Sequence, residues 1–294
     1  MSYIINGIRG FFMSLADSVP GVSGGTIAFI LGFYDKFINS IDGLIYGNKK
    51  ERKIAFKFLI KLGIGWAVGM AIASIVLTKL FETKIYVVSS LFIGFIIFAI
   101  PYIIKIEKES LKGKYKNLVF TFLGVVLVVL ITLLNTKINS GGISVSHLSF
   151  VLAVQIFVGG AAAISAMVLP GISGSTILLI FGLYIPIITS VKEVISLNFG
   201  YIPVLIIFAL GVITGVILVI KLVKKGLEKH RSAMIYFILG LMLGSFYAIA
   251  MGPTTLEVPK DPISFSNFSI IAFIIGGFII LGLEKLSIKF KDKE

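Results

Sequence analysis

The sequence contains the same apolar phrase twice, each time opened by helix-breaking residues. PGVSGGTIAFILGFY covers 20–34 and PGISGSTILLIFGLY covers 170–184; nine of fifteen positions are identical and the offset is 150 residues. Self-similarity of this kind marks a duplicated structural unit. The likeness continues outside the phrase. Gly10 aligns with Gly160 and Ala16 with Ala166, and the next apolar segment of each half carries Gly-x-x-x-Gly, at Gly65 to Gly69 and Gly211 to Gly215. The chain is expected to fold as two related halves, 1–140 and 141–294.

What surrounds the phrases sets the solvent. Six segments (58–77, 85–104, 118–134, 201–220, 233–250 and 268–283) are apolar and near the roughly 20 residues that a spanning helix needs. Two more regions, 4–46 and 148–191, are equally apolar but broken in the middle. With 57% hydrophobic and only 14% charged residues, and a mean hydropathy of +1.05, the chain has far more apolar surface than a water-soluble core can use. The expected class is an all-α integral membrane protein, each half a broken helical hairpin followed by three transmembrane helices. The apolar start lacks a basic leader and a small-residue cleavage site, so it is not expected to be a removable signal peptide. The absence of Cys excludes disulfides, thiol catalysis and Cys-metal sites.

Three crossings plus a hairpin that contributes none or two make an odd number. The second half must then enter the membrane from the opposite side, as an inverted repeat. The basic residues give an independent test. Segments 49–57, 105–116, 221–231 and 285–293, all on one expected side, hold nineteen Lys and Arg; the other side holds Lys79, Lys84, Lys137, Lys192 and Lys260. The excess marks the cytoplasmic side and puts both termini there. The net charge of +13 is thus a topology signal, and no nucleic-acid partner is expected. Segment lengths favour re-entrant hairpins, the first entering from the cytoplasm. Irregular backbone at that depth is tolerated only inside protein or beside a wet cavity.

Each break places a fresh helix N-terminus just after it, with Ser23 or Ser173 as N-cap. Gly24, Gly25 and Gly174 let backbone approach a ligand closely, and Thr26, Ser175 and Thr176 add hydroxyl donors. Free N–H groups and the helix dipole attract anions. Inverted symmetry brings two such ends toward the midplane, a recurring arrangement of transporter substrate sites. The bland alternative is that the glycines serve close packing and that the hydroxyls bond back to their own helices; a second copy in a matched position weighs against it. The Gly-x-x-x-Gly pairs are read as helix contacts. Charges inside the hairpins break the symmetry, because Arg9 aligns with Gly159 and Asp17 with Met167. Arg9 reads as a bidentate phosphate ligand or as a residue snorkelling to the interface. Asp17 beside an anion site reads as a coupling residue for protons or sodium, or as a turn-forming residue before Pro20. Gln155 reads as an interhelical hydrogen-bonder. His147 and His230 lie far apart without neighbouring acids, so no metal site is expected.

The pair ADSVPGVSGGTIAFILGFYD and LPGISGSTILLIFGLY resembles the polyprenyl-phosphate translocase family over nearly the whole chain. By motif match, Asp17, Pro20, Gly21, Ser23, Gly24, Gly25, Thr26, Gly32 and Tyr34 fall on the first motif. Pro170, Gly171, Ser173, Gly174, Ser175, Gly182 and Tyr184 fall on the second. An acidic residue often follows the second Tyr in that family; here Ile185 stands there. The resemblance implies a carrier of undecaprenyl phosphate from the outer to the cytoplasmic leaflet of the bacterial cytoplasmic membrane, for reuse in cell-envelope synthesis. It implies no cofactor, and lipids as the partners. A carrier is physically required because a phosphate is too costly to desolvate into hydrocarbon, whereas a polyprenyl tail can stay in lipid. The competing class is a secondary transporter of a small water-soluble anion, which would enclose its substrate on all sides. A membrane enzyme would need clustered acids and bases, which the breaks lack. A purely structural membrane protein would leave the paired breaks without a purpose.

Overall fold

The computed structural model describes residues 2–18, 23–137, 148–255 and 259–291, and the described residues are helical with no strand. Pro20, Gly21 and His147 lie outside them. The first half comprises α1 (Ser2–Asp17), α2 (Gly24–Ile30), α3 (Tyr34–Tyr46), α4 (Lys49–Ile106), α5 (Lys108–Leu111) and α6 (Leu118–Lys137). The second comprises α7 (Phe150–Val168), α8 (Gly174–Ile180), α9 (Tyr184–Ile195), α10 (Ile202–Lys229), α11 (Arg231–Met251) and α12 (Ile270–Lys291). Among the described residues six helical stretches are long and apolar enough to cross a membrane (49–73, 83–106, 115–134, 150–168, 199–229 and 231–254), and α8 with the start of α9 forms a seventh candidate bent by 109°. The helix α7, expected as part of a broken hairpin, is thus of spanning length, whereas the expected span 268–283 is a shorter apolar helix, Ile270–Gly282. The spans turn Ile64, Phe122, Val151 and Leu218 outward, while Asn6, Arg9, Ser23, Thr26 and Ser245 are buried. That is the polarity of a protein dissolved in lipid.

The duplicated phrase becomes a duplicated structure. The bounds of α2 and α8 are separated by the same 150 residues as the sequence repeat. Both short helices end in one device. Phe33 N–H donates to the Ala28 carbonyl and Gly32 N–H to Phe29, and the matching pairs are Leu183 to Leu178 and Gly182 to Leu179. These Schellman closures need a left-handed residue, which Gly32 (φ 68°) and Gly182 (φ 66°) supply. The Gly-x-x-x-Gly pairs are helix contacts, as read. A methyl on Gly65 would strike the Gly7 carbonyl of α1, and one on Gly211 the Phe157 carbonyl of α7, so α1 packs on α4 and α7 on α10.

Two features depart from the expected order of separate helices. The expected loop between 77 and 85 is helical, because no Gly or Pro interrupts it; α4 instead carries one non-helical residue, Lys84 (φ −135°, ψ 38°). The start of α4 is tied to α3 by Arg52 Nη2 donating to the Ile45 carbonyl (3.0 Å). Its end reaches α3 through Glu107, Arg231 and Asp35. The ends of 58 straight helical residues would stand about 85 Å apart, so the two arms must fold back at Lys84. The second feature is an exchange of last helices. α6 packs on α11, where Gly240 meets the Thr121 carbonyl, and α12 packs on the second arm of α4, where Gly276 meets Leu91. Each half thus completes the other.

Side chains tie several of the charged segments together. Arg231, at the start of α11, pairs with Glu107 and with Asp35 (3.0 Å), Lys224 pairs with Asp42 (2.6 Å), and Lys221 lies over the Tyr46 ring at 3.8 Å. Three of the four basic segments therefore converge around α3. Elsewhere, Tyr86 of α4 donates to the Asp261 carbonyl at 3.0 Å.

Candidate functional site

The two breaks touch. Ser23, in extended conformation before α2, donates its Oγ–H to the Leu169 carbonyl (3.1 Å) and accepts from Thr26 N–H (3.4 Å) as the N-cap. Thr26 Oγ1 accepts from Gly171 N–H (3.0 Å), and the Tyr34 hydroxyl donates to the Val168 carbonyl (3.1 Å). Gly25 is small for the same reason: a methyl there would sit 3.0 Å from that carbonyl. The first break is thus bonded to the second at three points across more than 130 residues of sequence. Ser23, Thr26, Ser173 and Thr176 are all buried.

At the first helix end, Gly24 N–H donates to Asp17 Oδ1 (2.6 Å), and Trp66 Nε1–H donates to Asp17 Oδ2 (2.8 Å). The N–H that the sequence assigns to a ligand is held by an internal carboxylate in this conformation. Asp17 satisfies both groups at once because α1 ends where α2 begins and α4 crosses alongside. Trp66 was not singled out in the sequence. Its signal was available, since it is the chain's single Trp and lies one residue past Gly65.

The second helix end differs. Ser173 stands at the N-cap position but makes no side-chain cap bond; its hydroxyl pairs instead with Ser175 (2.7 Å). Met167 occupies the place of Asp17, with its Cβ 3.5 Å from where a Gly174 Cβ would lie. Gln155 bonds as read, donating to the Phe181 carbonyl (2.8 Å) at the far end of α8. Tyr184 is exposed, unlike its counterpart Tyr34.

Arg9 is 3% exposed, which overturns the snorkelling alternative. Its guanidinium lies 4.9 Å from the centre of the Phe33 ring, and Nη1 donates to Asn6 Oδ1 (3.1 Å). Phe33 follows α2, so Arg9 rests at the end of that helix remote from Gly24. Among the described residues no group of three or more His, Asp or Glu is gathered that could hold a metal.

A cavity of about 230 Å³ adjoins the first break. It is lined by Asp17, Gly24 and Gly25, by Phe37 and Ile41 of α3, Leu59, Gly63 and Trp66 of α4, Ile164 and Met167 of α7 and Val216 of α10. Gly63 is exposed at the rim, and so are its helix neighbours Ile60 and Ile64.

The family model described as undecaprenyl phosphate translocase-like matches residues 13–266, which include both breaks and the elements between them. The chain belongs to this family. Two relatives agree with the placement. A polyprenyl-phosphate transporter of Staphylococcus aureus is 34% identical over 284 residues, 96% of either chain. A polyprenyl-phosphate transporter of Vibrio cholerae is 32% identical over 268 residues, 87% of this chain and 80% of that one. Both are named as transporters, not as enzymes. No solved structure matches the chain.

Proposed function

We propose that this protein carries undecaprenyl phosphate from the outer to the cytoplasmic leaflet of the bacterial cytoplasmic membrane, with two inverted halves whose hairpins re-enter the membrane and whose termini are both cytoplasmic. The observation that carries the proposal is the meeting of the two breaks. Ser23 and Thr26 at the start of α2 bond to Leu169 and Gly171 of the second break, and an apolar cavity adjoins Gly24 and Gly25 beside them. The apolar lining and exposed Gly63 beside Ile60 and Ile64 favour a lipid over a small water-soluble anion, which needs enclosure on all sides. The names of the relatives point the same way.

The phosphate head is held between Ser23, Gly24, Gly25 and Thr26 on one side and Ser173, Gly174, Ser175 and Thr176 on the other. Asp17 competes for the same ground. As a carboxylate it accepts from Gly24 N–H and repels a phosphate; neutralised by a proton or a sodium ion, it accepts more weakly and no longer repels. Cation and phosphate then bind together, and this couples lipid movement to an ion gradient. Arg9 acts at a distance by bracing α1 against the turn at Phe33. The ion pairs of Arg231 and Lys224 close the basic side in this conformation, and tilting of the hairpins must part them to open it.

The test is lipid translocation in proteoliposomes of known protein content, with and without an imposed gradient. Gly24→Leu and Gly174→Leu should abolish most transport while the protein still inserts. Asp17→Asn should retain transport but lose its response to the gradient. Unchanged rates for both glycine variants would refute the head-group site; a normal gradient response of Asp17→Asn would remove only the coupling.

A further inference from the structure

We infer that the cavity between α4, α7 and α10 is a tail slot, which takes the first isoprene units of the lipid while the rest of the chain stays in the bilayer. The inference rests on reading the breaks as the head-group site. Three observations carry it. The cavity adjoins the first-break half of that site, since Asp17, Gly24 and Gly25 line it. Apart from those residues and the Trp66 N–H already given to Asp17, its walls are hydrocarbon. Gly63, part of its lining, is exposed, as are its helix neighbours Ile60 and Ile64. A water-soluble anion has no use for such a wall, whereas a phosphate monoester on a branched hydrocarbon needs both parts in this order.

Size decides how much of the lipid enters. About 230 Å³ is less than the roughly 300–1,000 Å³ that encloses a whole drug-sized ligand. The slot therefore grips only the head-proximal tail, and the remaining units contribute through their solubility in the membrane. The walls come from both halves of the chain, Leu59 and Gly63 from the first and Ile164 and Val216 from the second. Relative movement of the halves would thus change the grip on the tail together with the grip on the head.

Gly63 makes the slot testable, because a Cβ there meets nothing within 4 Å. Gly63→Phe fills the slot from its rim without displacing backbone, and Ile164→Trp fills it from the opposite wall. Gly282, also exposed and open around its missing Cβ, lies outside the slot, so Gly282→Phe is the control. The full chain in lipid nanodiscs is titrated with undecaprenyl phosphate and with dimethylallyl phosphate, which carries one isoprene unit. Comparing each variant with wild type for the same ligand cancels membrane partitioning. Both slot variants should weaken undecaprenyl phosphate about tenfold or more and leave dimethylallyl phosphate within about twofold, as loss of several buried methylenes requires. Gly282→Phe should change neither. Equal losses for both ligands in both slot variants, or no loss for the long one, would overturn the slot while leaving the head-group site standing. A wild-type chain that binds neither phosphate would overturn the head-group reading, and the slot with it. Saturation of the slot by phosphatidylglycerol with the same sensitivity to Gly63→Phe would overturn the assignment to an isoprenoid.

Discussion

The two broken hairpins share a phrase, a helix length and a closing turn, yet they are finished differently. At the first, Asp17 and Ser23 occupy the start of α2, Tyr34 is buried against the other hairpin, and α3 is pinned to the second half through Asp35 and Asp42. At the second, Ser173 makes no cap bond, Met167 replaces the carboxylate and Tyr184 is exposed. The duplicated residues supply a scaffold, and residues flanking them decide the chemistry at each copy. The first hairpin is built to be held; the second has fewer such ties.

The comparison breaks most decisively on orientation. If the halves are inverted, single thiols introduced into this Cys-free chain at Lys50, Lys112 and Lys225 should resist an impermeant reagent added outside cells, and those at Lys137 and Lys260 should react. Strong labelling at position 112 would end the inverted model. Next in size is an exchange of the flanking residues. Asp17→Met leaves Gly24 N–H and the Trp66 indole without their acceptor and should lower stability by about 2 kcal/mol, read as thermal unfolding in detergent. Met167→Asp puts a carboxylate beside Gly174 and should weaken phosphate binding at the second break. A stable Asp17→Met protein would mean that the two ends are equivalent after all.

Tyr34→Phe and Tyr184→Phe sharpen the contrast at smaller scale. The first removes a buried bond to the Val168 carbonyl and should cost about 1 kcal/mol; the second alters an exposed ring and should cost almost nothing. The smallest difference is expected where the copies agree. Gly32→Ala and Gly182→Ala meet the same left-handed turn, so each should destabilise by about 1 kcal/mol and the two values should match. Unequal costs would show that the turns are equivalent in geometry only.

The sequence by itself determined the solvent, the helical class and the two breaks. Each is written locally: in stretches of about 20 apolar residues, and in Pro, Gly and Ser that interrupt an apolar run. Ser23 could be read as an N-cap because a cap bond spans three residues. The tertiary structure alone decided which distant groups meet. That Asp17 holds Gly24 and Trp66, that Gly171 donates to Thr26, that α6 and α12 exchange halves, and that Arg231 reaches Asp35 across 196 residues are outcomes of packing. No local pattern encodes them, because a buried polar group is stabilised by whichever partner the folded chain brings within hydrogen-bond distance, however far away that partner lies in sequence.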